Sequence, residues 1–136
     1  MNGFAAVKRA TVLVPSGPAY DPDRLHLFIL LTDPLGEWEE VLMVSISSIK
    51  PYVSYDSTCI LEPGCHEFVV RRSWVDYSTA RIIASRKLHR GIEEKMMETR
   101  DAVDIEIFHA ICKGLIESPF SKPKFQQFYL RACEAQ

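Results

Sequence analysis

The longest strand pattern in the chain reads Val41-Leu42-Met43-Val44-Ser45-Ile46-Ser47-Ser48-Ile49. It begins as a continuous apolar run, which is typical of a strand buried on both faces, and it ends with serine and isoleucine in alternation. Alternation is the pattern of a strand that has one buried and one open face. We therefore predict a strand that lies inside a sheet and opens to solvent toward its C-terminal end.

Two further strands are predicted before this one. Thr11-Val12-Leu13-Val14 is a β-branched run that ends at Pro15-Ser16-Gly17-Pro18, a strong turn signal. The segment 16–24 is rich in proline, glycine and aspartate, which predicts a surface loop. The next strand is predicted from His26 to Thr32. The loop between the two strands is a candidate functional rim.

Strand patterns continue after the central strand. Ser57 to Leu61 and His66 to Val70 flank the turn Glu62-Pro63-Gly64, which predicts a hairpin, and Trp74 to Ile83 supplies aromatic and branched residues for one more strand. Five or six short strands at close spacing indicate a small barrel or sandwich. The sequence therefore predicts a mainly β fold.

The hydrophobic period changes from Asp101 onward. Apolar residues recur there at helical spacing until Ser118-Pro119 stops the pattern, which predicts a C-terminal helix over about 101–117. The side chains expected to pack on the strands are Val103, Ile107, Ala110, Ile111 and Leu115. We treat 1–136 as a single domain, with a barrel over about 8–100 and a tail, 118–136, that forms a short helix or a docked segment.

Composition narrows the functional class. With 47% hydrophobic and 25% charged residues, the chain has the balance of an ordinary globular protein. Its formal net charge of -2 gives no global attraction to phosphate, so a nucleic-acid site would need a local cluster of arginine and lysine. The longest apolar stretch, Leu25 to Leu31, is too short to span a bilayer, and Met1 to Ala10 lacks the apolar segment of a secretory signal. We therefore expect a cytoplasmic protein with no membrane partner.

The order of these elements resembles that of the MazF/PemK toxins, which are sequence-specific endoribonucleases. The resemblance implies a small, strongly bent SH3-like β barrel followed by a C-terminal helix. The early Gly-Asp of that family is Ala10-Thr11 here, and its Arg-Pro is replaced by Arg24-Leu25-His26. The stretches that carry the resemblance are Val12-Leu13-Val14-Pro15, the loop to Arg24, the strand His26 to Leu31, Ser45-Ile46-Ser47-Ser48, Val75-Asp76-Tyr77-Ser78-Thr79-Ala80-Arg81-Ile82, and the helix 101–117.

The resemblance also implies an RNA site. Metal-free RNA cleavage needs a base for the ribose 2′-OH, an acid for the leaving oxygen, and cations or donors that face the charged phosphorane. By resemblance, Arg24 would stabilise the phosphate, Ser47 would be the catalytic hydroxyl, and Ser45 and Ser48 would bind RNA. His26 stands where the family has no histidine, and it is a candidate acid or base. The alternative is a solvated Arg24, a His26 bonded to a backbone carbonyl, and serines with no special role.

A second candidate segment runs from Pro63 to Tyr77. It contains His66 as a possible general base, Arg71 as a possible phosphate clamp, and three residues that would bind RNA, which are Arg72, Trp74 and Tyr77. Aromatic rings stack on unpaired bases, and arginines bind phosphate, so this combination suits single-stranded RNA. The alternative is that the aromatic residues belong to the core and the arginines to a solvated face.

Metal and thiol chemistry have weaker support. Cys59, Cys65 and His66 are potential zinc ligands, but their spacing does not match a structural site, which needs four ligands. Cys65 and His66 are neighbours, and adjacent residues of a strand point to opposite faces. We expect free thiols, no bound metal and no cofactor.

Two functions follow from these observations. The first is a toxin-like, metal-independent endoribonuclease that acts on single-stranded RNA, forms a homodimer and has a cognate antitoxin protein. The second is a non-catalytic RNA-binding or protein-interaction module on the same barrel. The two are separated by whether His26, His66 and Arg71 or Arg72 converge on one cleft with Ser47.

Overall fold

The computed structural model describes residues 3–135, and a six-stranded antiparallel sheet forms its centre. The order of strands across the sheet is β4-β5-β3-β2-β1-β6. Three helices accompany them. The bounds are β1 (Thr11–Pro15), β2 (Leu25–Leu30), β3 (Glu40–Ser48), β4 (Ile60–Leu61), β5 (Ser73–Ala84), α1 (Ser85–Glu93), β6 (Glu98–Arg100), α2 (Ile105–Glu117) and α3 (Pro123–Glu134).

The sheet is a curled half-barrel with β4 and β6 at its two edges. Its main irregularity lies between β3 and β5, where Met43 pairs with Arg81 and Ser45 pairs with Asp76. One residue of β3, Val44, therefore faces the four residues 77–80 of β5. Extra residues of this kind bend a strand and increase its twist.

Both faces of the sheet are buried over its centre. Leu42, Val44 and Ile46 belong to one hydrophobic cluster, which α2 and α3 complete with Phe108, Ile111, Leu115, Phe125 and Phe128. Val41 and Met43 belong to a second cluster on the opposite face, which Leu88 of α1 and Ala6 complete. The prediction of a strand that is buried on both faces and opens at its end is confirmed, because Ser47 is half-buried and Ser48 is exposed.

The mainly β fold with a C-terminal helix is confirmed, but two parts of the prediction are wrong. His66 to Val70 forms turns instead of a strand, so β4 has no hairpin partner there and pairs with β5. The charged stretch 86–100 contains most of α1 and all of β6, neither of which was predicted. No helix within residues 3–135 has the length and apolar character needed to cross a bilayer.

The C-terminal helix is shorter than predicted, and its buried face is rotated. It begins at Ile105, after the buried Val103. Ile111 and Leu115 are buried as expected, whereas Ala110 is exposed and Ile107 is half-buried. Phe108 and Cys112 are buried instead, so the centre of the buried stripe is rotated toward them by less than the angle of about 100° that separates successive residues.

Tyr77 joins β5 to α2. Its side chain is 1% exposed, and its hydroxyl donates a 2.7 Å hydrogen bond to the carbonyl of Ile111. The ring lies against Gly114, where an added Cβ would be 2.1 Å from the tyrosine oxygen. Only glycine at this position lets the helix approach the strand so closely.

We predict that Gly114→Ala destabilises the protein by about 1–3 kcal/mol, the usual cost of overpacking a core. Gly91→Ala in α1 is the matched control. Its Cβ would meet the flexible side chain of Met97, with the sulfur 2.8 Å away, and alanine gains about 1 kcal/mol of helix propensity over glycine. Urea denaturation measures both free energies of unfolding, and equal values for the two variants would contradict the packing described for Tyr77.

Candidate functional site

The start of β2, the end of β3 and the start of β5 lie side by side at one end of the sheet. Because β2 and β5 both run antiparallel to β3, the starts of β2 and β5 lie beside the end of β3. Ser47 of β3 pairs with Trp74 of β5. Ser45, two residues earlier in β3, pairs with Phe28 of β2. His26 stands two residues before Phe28, so side-chain alternation puts His26, Ser47 and Trp74 on the same face of the sheet.

A groove of about 350 Å³ opens at these strand ends. The structure brings together five of the residues predicted to form the site, which are Arg24, His26, Ser47, Ser48 and Trp74. Lys50 also lines the groove, and Leu25, Val53 and Phe68 add apolar surface. The lining therefore combines cations, hydroxyls, one imidazole and one indole.

The loop between β1 and β2 holds Arg24 at the mouth of the groove. The amide of Ser16 donates a 2.9 Å hydrogen bond to the carbonyl of Arg24, which closes the loop at its base. Gly17 lies so close to the carbonyl of Asp21 that an added Cβ would be 1.8 Å from that oxygen. Arg24 forms a 3.1 Å ion pair with Asp21 at the surface. An exposed pair of this kind is worth about 0–1 kcal/mol, so a phosphate can compete for the guanidinium.

Ser16 holds the imidazole of His26 through Nδ1. The hydroxyl oxygen of Ser16 lies 2.8 Å from Nδ1 of His26 and 3.1 Å from the carbonyl of Val14, so the hydroxyl proton has two acceptors within reach. When the proton points to Val14, Nδ1–H donates to Ser16 and Nε2 carries the lone pair. Among residues 3–135 no hydrogen bond occupies Nε2, so in this tautomer it can accept a proton from a ligand.

The surroundings of His26 keep its imidazole neutral. Burial lowers the pKa of His26, and the positive charges of Arg24, Lys50 and Arg81 lower it further. The carboxylate of Asp76 acts in the opposite direction. The net effect is a pKa below 6.5, so His26 is available as a base at neutral pH.

Two residues predicted for the site have structural roles instead. Tyr77 lies in the core, as described above, so it has no surface on which a base could stack. His66 is 7% exposed, with Nε2 2.6 Å from the carbonyl of Asp101 and Nδ1 accepting from the amide of Phe68 at 3.0 Å. Both ring nitrogens are engaged, so we remove Tyr77 and His66 from the candidate site.

Three other predicted residues do not line the groove. Ser45 is 2% exposed, and its hydroxyl is bonded to that of Thr79 at 2.8 Å, so it supports the strand pairing. Arg72 forms an exposed 3.1 Å ion pair with Glu62. Arg71 is exposed and also lies outside the groove lining. His26 and Ser47 therefore meet in one groove, whereas His66, Arg71 and Arg72 lie outside its lining, and this dispersal favours the interaction module.

Among residues 3–135 the side chains are not arranged in a way that suits metal binding or thiol chemistry. Within residues 3–135 no three His, Cys, Asp or Glu side chains are grouped so that they could hold a metal ion. The four cysteines are free thiols. Burial raises the pKa of Cys59 and of Cys65, and it raises that of Cys112 to about 11, so these three groups are protonated at neutral pH and poor nucleophiles.

The sequence analysis missed Lys50, Asp76, Arg81 and Ser16. The sequence did contain a signal for Lys50, because continued alternation puts Lys50 on the same side of the chain as Ser48. Arg81 carried no such signal. Its guanidinium carbon lies 4.6 Å from the centre of the Phe28 ring, and the irregularity between β3 and β5 produces that contact.

Comparison of the chain with models of protein families, with curated proteins and with solved structures finds no match.

We predict that Arg24→Ala raises the pKa of His26, because a positive charge that opposes protonation is removed. Asp76→Asn should lower the pKa, since its carboxylate favours the protonated ring. NMR titration of the imidazole nitrogens in the wild type and both variants measures these shifts. Shifts in the same direction for the two variants would contradict the electrostatic description of the groove.

Proposed function

We propose that this protein is a metal-independent endoribonuclease that binds single-stranded RNA in the groove of Arg24, His26, Ser47, Ser48, Lys50 and Trp74. The observation that carries the proposal is the state of His26. Its free Nε2 faces no competing hydrogen bond among the described residues, and its pKa is lowered in a setting of three cations. A general base must be unprotonated at the working pH, and a lowered pKa keeps His26 in that form at neutral pH.

The reaction needs groups that line the groove, together with water as the proton donor for the leaving oxygen. His26 Nε2 takes the proton from a ribose 2′-OH, and the 2′-oxygen forms a bond to the adjacent phosphorus. The bond from phosphorus to the 5′-oxygen breaks, leaving a 2′,3′-cyclic phosphate and a 5′-hydroxyl whose proton comes from water. Arg24 and Lys50 oppose the negative charge of the phosphorane, and Ser47 donates a hydrogen bond to it. His26 then returns its proton to solvent.

Trp74 gives the groove a surface for unpaired bases. Its ring is half-buried and lies beside Tyr55, with 6.1 Å between ring centres. Stacking of a base on an aromatic ring is worth about 1–3 kcal/mol and requires a base that is not paired in a duplex. This favours single-stranded RNA over double-stranded RNA as the substrate.

The curled antiparallel half-barrel and the C-terminal helices support membership of the MazF/PemK toxins with their SH3-like barrel, which is part of the proposal. The proposal also includes a homodimer, a cognate antitoxin protein and a cytoplasmic site of action. An antitoxin would act by covering the groove, and the apolar rim gives such a partner something to bind.

The same rim favours the second candidate function, a non-catalytic interaction module. Leu25, Val53 and Phe68 line the groove and are 40%, 57% and 37% exposed. Apolar side chains around a polar groove are common where one protein binds another. In that case Arg24 and His26 would serve recognition only, and RNA would remain intact.

We predict that the purified protein cleaves a long single-stranded RNA in EDTA and that His26→Asn reduces the rate roughly a hundredfold or more, the usual size of a general-base contribution. His109→Asn, an exposed histidine of α2, is the matched control and should keep the wild-type rate. Gel analysis of the fragments and detection of 2′,3′-cyclic phosphate ends measure the reaction.

Arg24→Ala should also weaken RNA binding and reduce its salt dependence, lowering the slope of log K against log salt by about 0.7 for one lost phosphate contact. Arg90→Ala in α1 provides the matched control for charge. Equal cleavage by wild type and His26→Asn would exclude His26 as the base. RNA binding without cleavage would favour the interaction module, and absence of binding would exclude the groove as an RNA site.

A further inference from the structure

A second, smaller cavity lies on the other side of Trp74. Three aromatic rings, Tyr55, Trp74 and Phe120, line it together with the carboxylates of Asp56 and Asp76. Tyr55 and Phe120 are 39% and 57% exposed, although both are large aromatic side chains. Because Trp74 also lines the groove, one indole ring forms a wall of both cavities.

A buried network builds this pocket. Asp56 Oδ1 accepts from the amide and the hydroxyl of Thr58 at 2.9 and 2.6 Å, and Oδ2 accepts from Ser118 at 2.6 Å. The oxygen of Ser118 accepts in turn from the amide of Phe120 at 3.0 Å. The network ties the loop before β4 to the segment that joins α2 and α3. Tyr55 and Phe120 lie beside its members in the chain, so the network positions both rings along the pocket, with Tyr55 6.1 Å from Trp74 between ring centres.

The ionisation of Asp56 follows from the same bonds. Burial, the largest single influence, would raise the pKa of Asp56, but hydrogen bonds from Ser118 and Thr58 together outweigh it and lower the pKa. Asp56 is therefore a carboxylate with both oxygens occupied, so its role is to position the pocket walls.

The size of the pocket limits its occupant. Its volume is about 210 Å³. A cavity of about 150 Å³ accommodates benzene, and pockets for drug-sized ligands begin at about 300 Å³. One planar ring system fits this space, and a folded peptide segment does not.

Asp76 determines which ring system is favoured. Its Oδ1 accepts from the amide and the hydroxyl of Ser78, while within residues 3–135 no hydrogen bond occupies Oδ2. The carboxylate thus offers the pocket acceptors and no donor. Guanine is the one standard base whose Watson–Crick edge presents two adjacent donors, N1–H and the N2 amino group. Uracil presents one donor between two acceptors, and the amino groups of adenine and cytosine stand beside a ring acceptor that a carboxylate repels.

We infer that the pocket of Tyr55, Trp74, Phe120 and Asp76 binds a single guanine of the RNA strand, next to the phosphate held in the groove. The inference rests on the proposed function, since the groove supplies the phosphate contact. The base stacks on the aromatic walls, and its donors face Asp76. Asp76 is therefore a residue that determines sequence specificity.

Short oligouridylates with 2′-fluoro ribose, which lack the 2′-OH and cannot be cleaved, test the inference. Each carries guanine, adenine, cytosine or uracil at its centre, and fluorescence anisotropy in EDTA measures its dissociation constant. The measurements are made at a pH of about 8, where His26 is neutral and its titration does not contribute. We expect the guanine oligonucleotide to bind roughly tenfold more tightly than the uracil one, because Oδ2 of Asp76 can accept from both donors of guanine, and a specific base contact discriminates by about 1–3 kcal/mol.

Asp76→Asn should bring the ratio of the guanine and uracil dissociation constants to about one, because a neutral amide both donates and accepts. The loss of a negative charge beside the groove acts on all four oligonucleotides alike and cancels in this ratio. Asp104→Asn, an exposed residue before α2, is the control and should keep the preference. Equal binding of all four oligonucleotides by the wild type would overturn the guanine assignment and leave the RNA groove intact. Binding of none would overturn the proposed function and this inference together.

Further outcomes test the assignment of the pocket to guanine. A wild-type preference for guanine that persists in Asp76→Asn would exclude Asp76 as its source and so overturn the inference. NMR shifts of the Trp74 indole on addition of tetramethylammonium, without shifts on addition of guanosine monophosphate, would assign the pocket to a cation instead. Trp74 shifts with guanosine monophosphate that Asp76→Asn abolishes would support it.

Discussion

The hydroxyl of Thr79 holds together the irregular pairing of β3 and β5. It donates a 2.7 Å hydrogen bond to the carbonyl of Asp76, and it accepts from both the amide and the hydroxyl of Ser45, at 3.1 and 2.8 Å. These bonds satisfy polar groups that the extra residues of β5 would otherwise leave unpaired inside the sheet. Regular alternation before the shift puts Trp74 and Asp76 on one face of the sheet and Tyr77 on the face that α2 covers. Arg81 returns to that same face over Phe28.

The distribution of helices over the sheet explains why the groove is open. The helices α2 and α3 cover one face, and their apolar side chains enclose Leu42, Val44 and Ile46. On the other face, α1 and the N-terminal segment reach Val41 and Met43 but leave the end of β3 uncovered. Polar and aromatic side chains replace aliphatic ones where this cover ends. The chain thus keeps a rigid sheet behind the site, which is the arrangement that positions binding groups accurately.

Much of the site could be predicted because it depends on the ends of regular strands. Arg24 and Ser47 were predicted from a resemblance in the order of elements, and His26 from its position two residues after Arg24; all three stand at or beside strand ends that the sequence pattern indicates. His66 and Tyr77 illustrate the limit. The backbone partner of His66 lies 35 residues away at Asp101, and no local pattern indicates it. Tyr77 is three residues from Trp74, so regular alternation already puts the two rings on opposite faces, but only the contact with Gly114 shows which ring is in the core. The helix α1 was missed because few of its residues are buried, namely Ser85, Leu88 and Gly91.

The charge of the groove differs from that of the chain as a whole. The chain carries a formal net charge of -2, yet His26 is influenced by three cations and only one carboxylate. At physiological ionic strength the screening length is about 8 Å, so acidic residues on distant surfaces contribute little to the potential inside the groove. What an incoming phosphate meets is therefore the local cluster of Arg24, Lys50 and Arg81. Asp76 keeps that cluster from lowering the basicity of His26 further, and it stands at the boundary between the groove and the aromatic pocket. The same carboxylate thus borders both the groove and the aromatic pocket, and it partly offsets the positive charges that act on His26.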